Sequence, residues 1–276
     1  MRRSRGVFGE ALVSWRRLRG IAQEELAARS GISGRHLSFL ETGRARPSRE
    51  IALVLGQALE LPLRERNVLL EAAGFAPAYA ETDLDAPELE QVNRVLGWIL
   101  TGCEPNGATV LDRTRNILRH NDGWRNQVGS LVDLDAVFAQ RSLNSLTLLF
   151  HPAGLRTVLE NWPEIARAEL SLLHAELRAR GRDAVLEALL EELLGYPGVQ
   201  GAWLLPVSEL PTRFVLPMRV RTPLGSARIF STLTHMAAPR DVTLQELCVE
   251  AFAPADVASE EVLARLGRGE PRLPRR

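Results

Sequence analysis

Apolar positions in the first 75 residues recur at helical spacing in five short runs. Leu12, Trp15 and Leu18 share a face of a segment near Val7–Arg19, and Leu26 and Ala27 anchor a second over about Gln23–Arg29. Ser30-Gly31-Ile32 is a turn in which Gly31 is free to take positive φ. Ser33 caps a third helix that runs to about Glu41 and stops at Gly43. A fourth opens at Pro47-Ser48 and uses Ile51, Val54, Leu55 and Leu59. A fifth opens at Pro62, uses Leu63, Val68, Leu69 and Leu70, and ends at Gly74. Helices and loops this short predict a compact all-α domain over residues 1–76.

The stretch 77–87, rich in Ala, Pro and acidic residues, reads as a linker, and a second domain is expected over 88–268. A helix resumes with Leu89, Val92, Leu96, Ile99 and Leu100 on one stripe. After the Glu104-Pro105-Asn106-Gly107 turn, 108–113 and 116–121 read as two short strands. Helices are predicted over 122–138, 142–150, 154–180 and 183–195. Beyond Gly198 the period switches from 3.6 to 2. Segments 214–222 and 226–235 flank Pro223-Leu224-Gly225 as a hairpin, and 243–252 reads as a third strand. A last helix covers about 256–266, and the tail 269–276 is expected to be disordered. The fold class is therefore mainly α in two domains, the second an α+β domain with a small antiparallel sheet.

Composition changes the picture in two ways. Formal net charge is zero over 276 residues, but residues 1–50 hold 11 Arg against 5 Glu, and the remainder is acidic to the same degree. A basic module joined to an acidic remainder is suited to nucleic-acid contact at one end. The two cysteines, Cys103 and Cys248, are far apart and lack neighbours at ligand spacing, so neither a zinc site nor a disulfide scaffold is expected. No run approaches 18 apolar residues, and the N-terminus has no signal-like core, so a cytoplasmic protein is expected. A nucleophile elbow, P-loop, dinucleotide fingerprint and zinc-protease motif are all lacking, and the five histidines share no spacing; the reading is not an enzyme, with no cofactor or metal.

Arg16 to Ala27, followed by Ala28-Arg29-Ser30-Gly31-Ile32-Ser33 and by His36 to Ser48, resembles the lambda-repressor-like (Xre) helix-turn-helix across the whole domain. That resemblance implies a regulator that binds double-stranded DNA. Gln23, at the amino end of the second helix, would clamp a phosphate. The third helix would enter the major groove, with Ser33, Gly34, Arg35, Ser38 and Phe39 outward and Leu37 and Leu40 inward. Arg35 suits a guanine edge and Phe39 a thymine methyl. Gly34 departs from the family, which often carries a base-reading side chain there. Arg44, Arg46 and Ser48 are placed for the phosphate backbone, and Arg16 and Glu41 would pair between the first and third helices. His36 fits a packed residue better than a base reader.

In the second domain, Val110-Leu111-Asp112-Arg113 with Asn121, Phe150 to Arg156 with Asn161-Trp162 and Ala166, Leu193 to Val199, and Pro217 to Gly225 resemble MmyB-like ligand-binding domains. That resemblance implies a PAS-like pocket for a small apolar ligand such as a fatty acid. Trp124, Phe150, Trp162, Tyr196, Met218 and Phe230 are candidate walls. Asn121, His151, Arg156 and Asn161 are candidate polar contacts, Arg156 being the natural partner of a carboxylate. The same aromatics equally suit a plain core, and the polar residues equally suit helix caps. A homodimer on a palindromic operator is expected. The rival is a second domain that only oligomerises or binds a protein partner.

Overall fold

The computed structural model describes residues 6–139, 141–180, 183–200, 203 and 216–270. The chain divides into two compact units, each described by itself.

The first unit comprises Met1–Thr82 with Leu177–Arg182 and Ala238–Gln245. Its helices are α1 (Val7–Leu18), α2 (Gln23–Ser30), α3 (Gly34–Glu41), α4 (Arg49–Ala58) and α5 (Leu63–Ala72), matching the five predicted runs. Leu12, Leu26, Leu37, Leu40, Leu55, Leu59, Leu69 and Leu70 meet in one core. Burying each leucine contributes about 2 kcal/mol, so this core sustains short helices of little intrinsic stability. The inner face of α1 differs from expectation. Phe8, Leu12 and Val13 are buried, Trp15 packs only partly, and Leu18 is exposed. Gly9 explains the shift, because α1 passes so close to α3 that a Cβ there would lie 2.7 Å from the Leu40 carbonyl oxygen and 2.8 Å from that of Glu41.

Local chemistry sets the helix ends. The Ser33 hydroxyl accepts from His36 N–H and the Ser48 hydroxyl from Ile51 N–H, capping α3 and α4. Gly31 closes α2 with φ of 68°, the left-handed conformation the turn requires. Past α5, Asn67 Oδ1 accepts from the Ala78 and Tyr79 amides and its Nδ2 donates to the Tyr79 carbonyl, tying the proline-rich stretch to the unit. Gln245 Oε1 accepts from Leu63 N–H at the start of α5, and Asp241 Oδ2 accepts from Thr82 N–H and Oγ1.

The second unit is an α+β, PAS-like domain. Its strands β1 (Ala108–Leu111), β2 (Ile117–His120), β3 (Met218–Thr222), β4 (Gly225–His235) and β5 (Cys248–Pro254) form a single antiparallel sheet in the order β2-β1-β5-β4-β3. The helices are α6 (Glu90–Gly102), α7 (Asp122–Gly129), α8 (Leu134–Phe138), α9 (Ser145–Phe150), α10 (Trp162–Arg180), of which the residues up to Glu176 belong here, α11 (Ala184–Gly195) and α13 (Val257–Gly267); α12 (Val242–Glu246) falls, up to Gln245, in the first unit.

Three predicted elements come out differently. The helix expected over 122–138 breaks into α7 and α8, because the Asp133 side chain accepts from the Asp135 and Ala136 amides and starts a new helix. The long helix expected from Gly154 begins only at Trp162, after a single turn of 3-10 helix at Leu155–Thr157. The amide of Asn161 reaches the other way, donating to the Pro217 carbonyl and accepting from Arg219 N–H. The strand expected from Thr243 is first a short helix, α12, and becomes β5 only at Cys248. Asp241 starts that helix by accepting from Leu244 N–H. Residues 214–215 of the predicted third-last strand and 271–276 of the predicted disordered tail lie outside the described residues; Gly269 and Glu270 are described, and Glu270 pairs with Arg265 and Arg268.

Candidate DNA-reading surface and ligand cavity

The first candidate site is the outer face of α3 and the loop after it. Gly34, Arg35, Arg44, Arg46 and the caps Ser33 and Ser48 are exposed, while Ser38 and Phe39 are half-buried. The Arg35 guanidinium lies 5.4 Å from the Phe39 ring centroid and that of Arg44 lies 5.9 Å from it. Phe39 thus joins two cations into one positive, partly apolar surface. A Cβ at Gly34 would meet nothing within 4 Å, so this step of the helix is open. Both serine hydroxyls are engaged as caps, which leaves their lone pairs rather than their position committed.

Beneath this face lies the expected pair. Arg16 Nε donates to Glu41 Oε1 at 2.6 Å and Nη2 to Oε2 at 3.2 Å, and Nη1 donates to the Ile21 carbonyl at 3.0 Å. Glu41 is buried and also accepts from Gln23 Nε2 at 2.8 Å. Gln23, proposed from the sequence as a phosphate clamp, therefore spends its side-chain amide on Glu41. What it leaves at the start of α2 is backbone N–H groups and the positive end of the helix.

The second candidate site is a cavity of about 200 Å³ in the second unit. Strand register explains its floor. Thr109 pairs with Glu250, Glu250 with Leu233, Phe252 with Ser231, and Met218 with Ile229, so these side chains share one face of the sheet. All of them line the cavity, with Leu111, Ile117, Val220 and Thr222 of the same face. Trp124 and Val128 of α7, Leu146 and Leu149 of α9, and Ile165, Glu169 and Leu172 of α10 close over it.

Of the ten residues predicted for ligand contact, Trp124 and Met218 line this cavity, and eight do not. Asn121 caps α7, accepting from Trp124 N–H and donating to the Leu100 and Asn106 carbonyls. Phe150 is fully buried, edge-on to Trp162, whose Nε1 donates to the Leu149 carbonyl. Arg156 stacks 4.1 Å from the Trp162 ring centroid and donates to the Pro197 carbonyl. His151 Nδ1 accepts from Ala153 N–H, and Asn161 bridges to β3 as described. Burial, then the hydrogen bond that its hydroxyl donates to Glu192, push the Tyr196 pKa up to about 12. Phe230 lies on the opposite face of β4 from Ile229 and Ser231.

Sequence reasoning missed the polar lining, which includes Thr109, Arg115, Glu169, Ser231 and Glu250 beside Gln127, Ser145 and Thr222. Arg115 occupies the β1–β2 turn with φ of 67°, a left-handed conformation costly to a residue with a side chain. Asp112 holds that turn by accepting from Thr114 N–H, Asn116 N–H and Asn116 Nδ2. Burial, then the Glu169 charge, raise the Glu250 pKa to about 7, against the pull of Arg115 and of the Ser231 hydroxyl. Burial likewise raises Glu169, opposed by Arg115. Among the described residues no cluster of His, Cys, Asp or Glu is placed to hold a metal ion, and no helix is long and apolar enough to cross a membrane.

The exposed α3 with its arginines and the capped turn before it define a helix-turn-helix, DNA-binding transcription regulator; residues 12–66 match the helix-turn-helix family. Residues 92–266 match the MmyB-like transcription regulator ligand binding domain, and the chain belongs to that family. The crystal structure of the clp gene regulator ClgR from C. glutamicum is 40% identical, covering 25% of this chain and 88% of its own, with a TM-score of 0.23. No curated protein matches the chain.

Proposed function

We propose that this protein is a ligand-responsive regulator: α3 reads an operator in the major groove, and the cavity of the second unit takes a small, mainly apolar molecule that changes operator affinity. The observation that carries the sensing half is the cavity itself. A well-packed domain has few voids larger than a water molecule, and one of about 200 Å³, bounded by an alternating sheet face and by residues of α7, α9, α10 and α13, departs from that rule. On DNA, Arg35 and Phe39 would meet base edges, with Ser33, Gly34 and Ser38 beside them. Arg44, Arg46, Ser48 and the start of α2 at Gln23 would grip phosphates. We further propose a homodimer on a palindromic operator, with half-sites about 34–36 Å apart. Val95 and Trp98, one turn apart and exposed on α6, supply apolar surface of the kind an interface needs.

A fatty acid, the ligand suggested by the family resemblance, fits the apolar walls but meets two carboxylates at the polar end. Native mass spectrometry of the purified chain, followed by operator titration with and without the retained molecule, tests the proposal. A retained small molecule whose removal shifts operator affinity supports it. An empty protein whose operator affinity ignores every apolar compound offered would leave the second unit an assembly module.

A further inference from the structure

The cavity's polar end has an unusual charge balance. Glu169 stands on the α10 stripe Ile165, Glu169, Leu172, and Glu250 stands on β5 beside Phe252, both facing the same space. Among the described residues one cation, Arg115, reaches that space, and its Nη2 also lies 3.6 Å from Glu176 Oε2. Two carboxylates thus share an arginine on which a third already draws. In low-dielectric surroundings an excess negative charge is costly; burial accordingly raises the Glu250 carboxyl to about 7 and raises that of Glu169 as well.

A second observation points to a ligand at the same place. Thr109 sits directly across from Glu250 in the β1–β5 register and is 1% exposed. Its Oγ1 has no hydrogen-bond partner among the described residues although the residue lines the cavity. Buried hydroxyls are rarely left unpaired, so this one is placed to meet a polar ligand atom. The strained Arg115 backbone, secured by Asp112, fits a turn shaped for placing a side chain rather than for stability.

Resting on the ligand-sensing reading above, we infer that the ligand is a compact apolar primary amine whose ammonium is held by Glu169, Glu250 and the Thr109 hydroxyl. An ammonium offers three donors and no acceptor, and the cavity's polar end offers these three acceptors. A carboxylic acid offers acceptors to a site already rich in them. Size agrees: an apolar cavity of about 150 Å³ takes benzene, so one of about 200 Å³ takes a ring with a short arm.

Isothermal titration calorimetry of the full chain tests this with three probes that share a body and differ in head: 2-phenylethylamine, 2-phenylethanol and 3-phenylpropionate. The amine binds tightest, the acid weakest, and amine binding releases protons, so its apparent enthalpy follows the ionisation heat of the buffer. Glu250→Gln lowers amine affinity roughly 30-fold or more and leaves the alcohol within about twofold, since only a charged partner is lost. Glu169→Gln gives the same selective loss and carries the comparison if Glu250→Gln does not fold. An acid that binds more tightly than the amine, or an alcohol that binds equally well, overturns the ammonium assignment and leaves the sensing proposal standing. Failure of all three probes to bind overturns both.

Discussion

Glu250→Gln should make the ligand-free second unit more stable above neutral pH and flatten its pH dependence. In the folded protein the Glu250 carboxyl is raised from its ordinary 4.5 to about 7 by burial and by Glu169. The folded state therefore binds more protons than the unfolded state between these values, and stability falls as pH rises through that window. A displacement of that size corresponds to about 3 kcal/mol, an upper figure because local relaxation and water entry screen the charge. The destabilisation is fully developed above about pH 8 and absent near pH 4. Gln cannot ionise, so the variant should come within about 1 kcal/mol of the natural protein at pH 5 and exceed it by up to about 3 kcal/mol at pH 8. Part of the slope will survive, because Glu169 is raised in the same direction and remains. Urea denaturation at intervals from pH 5 to pH 8, with the transitions of the two units fitted separately, is the assay. Parallel profiles, or a variant weaker at pH 8, would refute the reasoning that an uncompensated carboxylate faces the cavity.

Thr109→Val keeps the shape of the residue and removes the unpartnered hydroxyl, so the ligand-free protein should gain about 1–2 kcal/mol in denaturant titration, while amine affinity drops in calorimetry. Arg16→Met leaves the buried Glu41 with Gln23 alone and should cost about 3–5 kcal/mol, whereas Arg16→Met with Glu41→Leu should recover most of that loss; a double mutant no better than the single would show that the pair is not the reason. Gly9→Ala should destabilise the first unit by more than about 2 kcal/mol, because the added methyl meets two α3 carbonyls and the helices must separate. Circular dichroism melts would register this as a fall of several degrees, and an unchanged melt would mean that α1 does not pack there.

The first unit was legible almost entirely because local and long-range signals coincide in it. Ser33 and Ser48 cap, Gly31 turns, and Leu26, Leu37, Leu40, Leu55 and Leu69 repeat at helical spacing toward one core. What escaped was the choice between Leu18 and Phe8 on α1, which depends on how closely two backbones approach at Gly9. Beyond residue 82 the elements were mostly found, but not where side-chain capping overrides hydrophobic period, as at Asp133 and Asp241, or where the Asn161 amide turns to β3 instead. The cavity was read through its aromatic residues, and most of these serve as core or brackets. Its chemistry sits instead at Glu169 and Glu250, carboxylates placed where the apolar pattern expects none. Cys248, Glu250 and Phe252 alternate along β5, so Glu250 shares their face; an acid on that face was the available signal. The register that sets Thr109 opposite it spans more than a hundred residues of chain and leaves no local trace.

The most direct test of the account is fluorescence anisotropy of the full chain on an operator obtained by in vitro selection and on random duplex of equal length, across a salt series. Arg35→Ala should cost on the order of 1–3 kcal/mol on the operator and little on random DNA, and Arg46→Ala should weaken both alike and lower the salt slope by about one unit. Equal losses on both duplexes for Arg35→Ala, or natural protein that shows no salt-sensitive affinity for either, would contradict the claim that α3 reads bases while the neighbouring arginines hold the backbone.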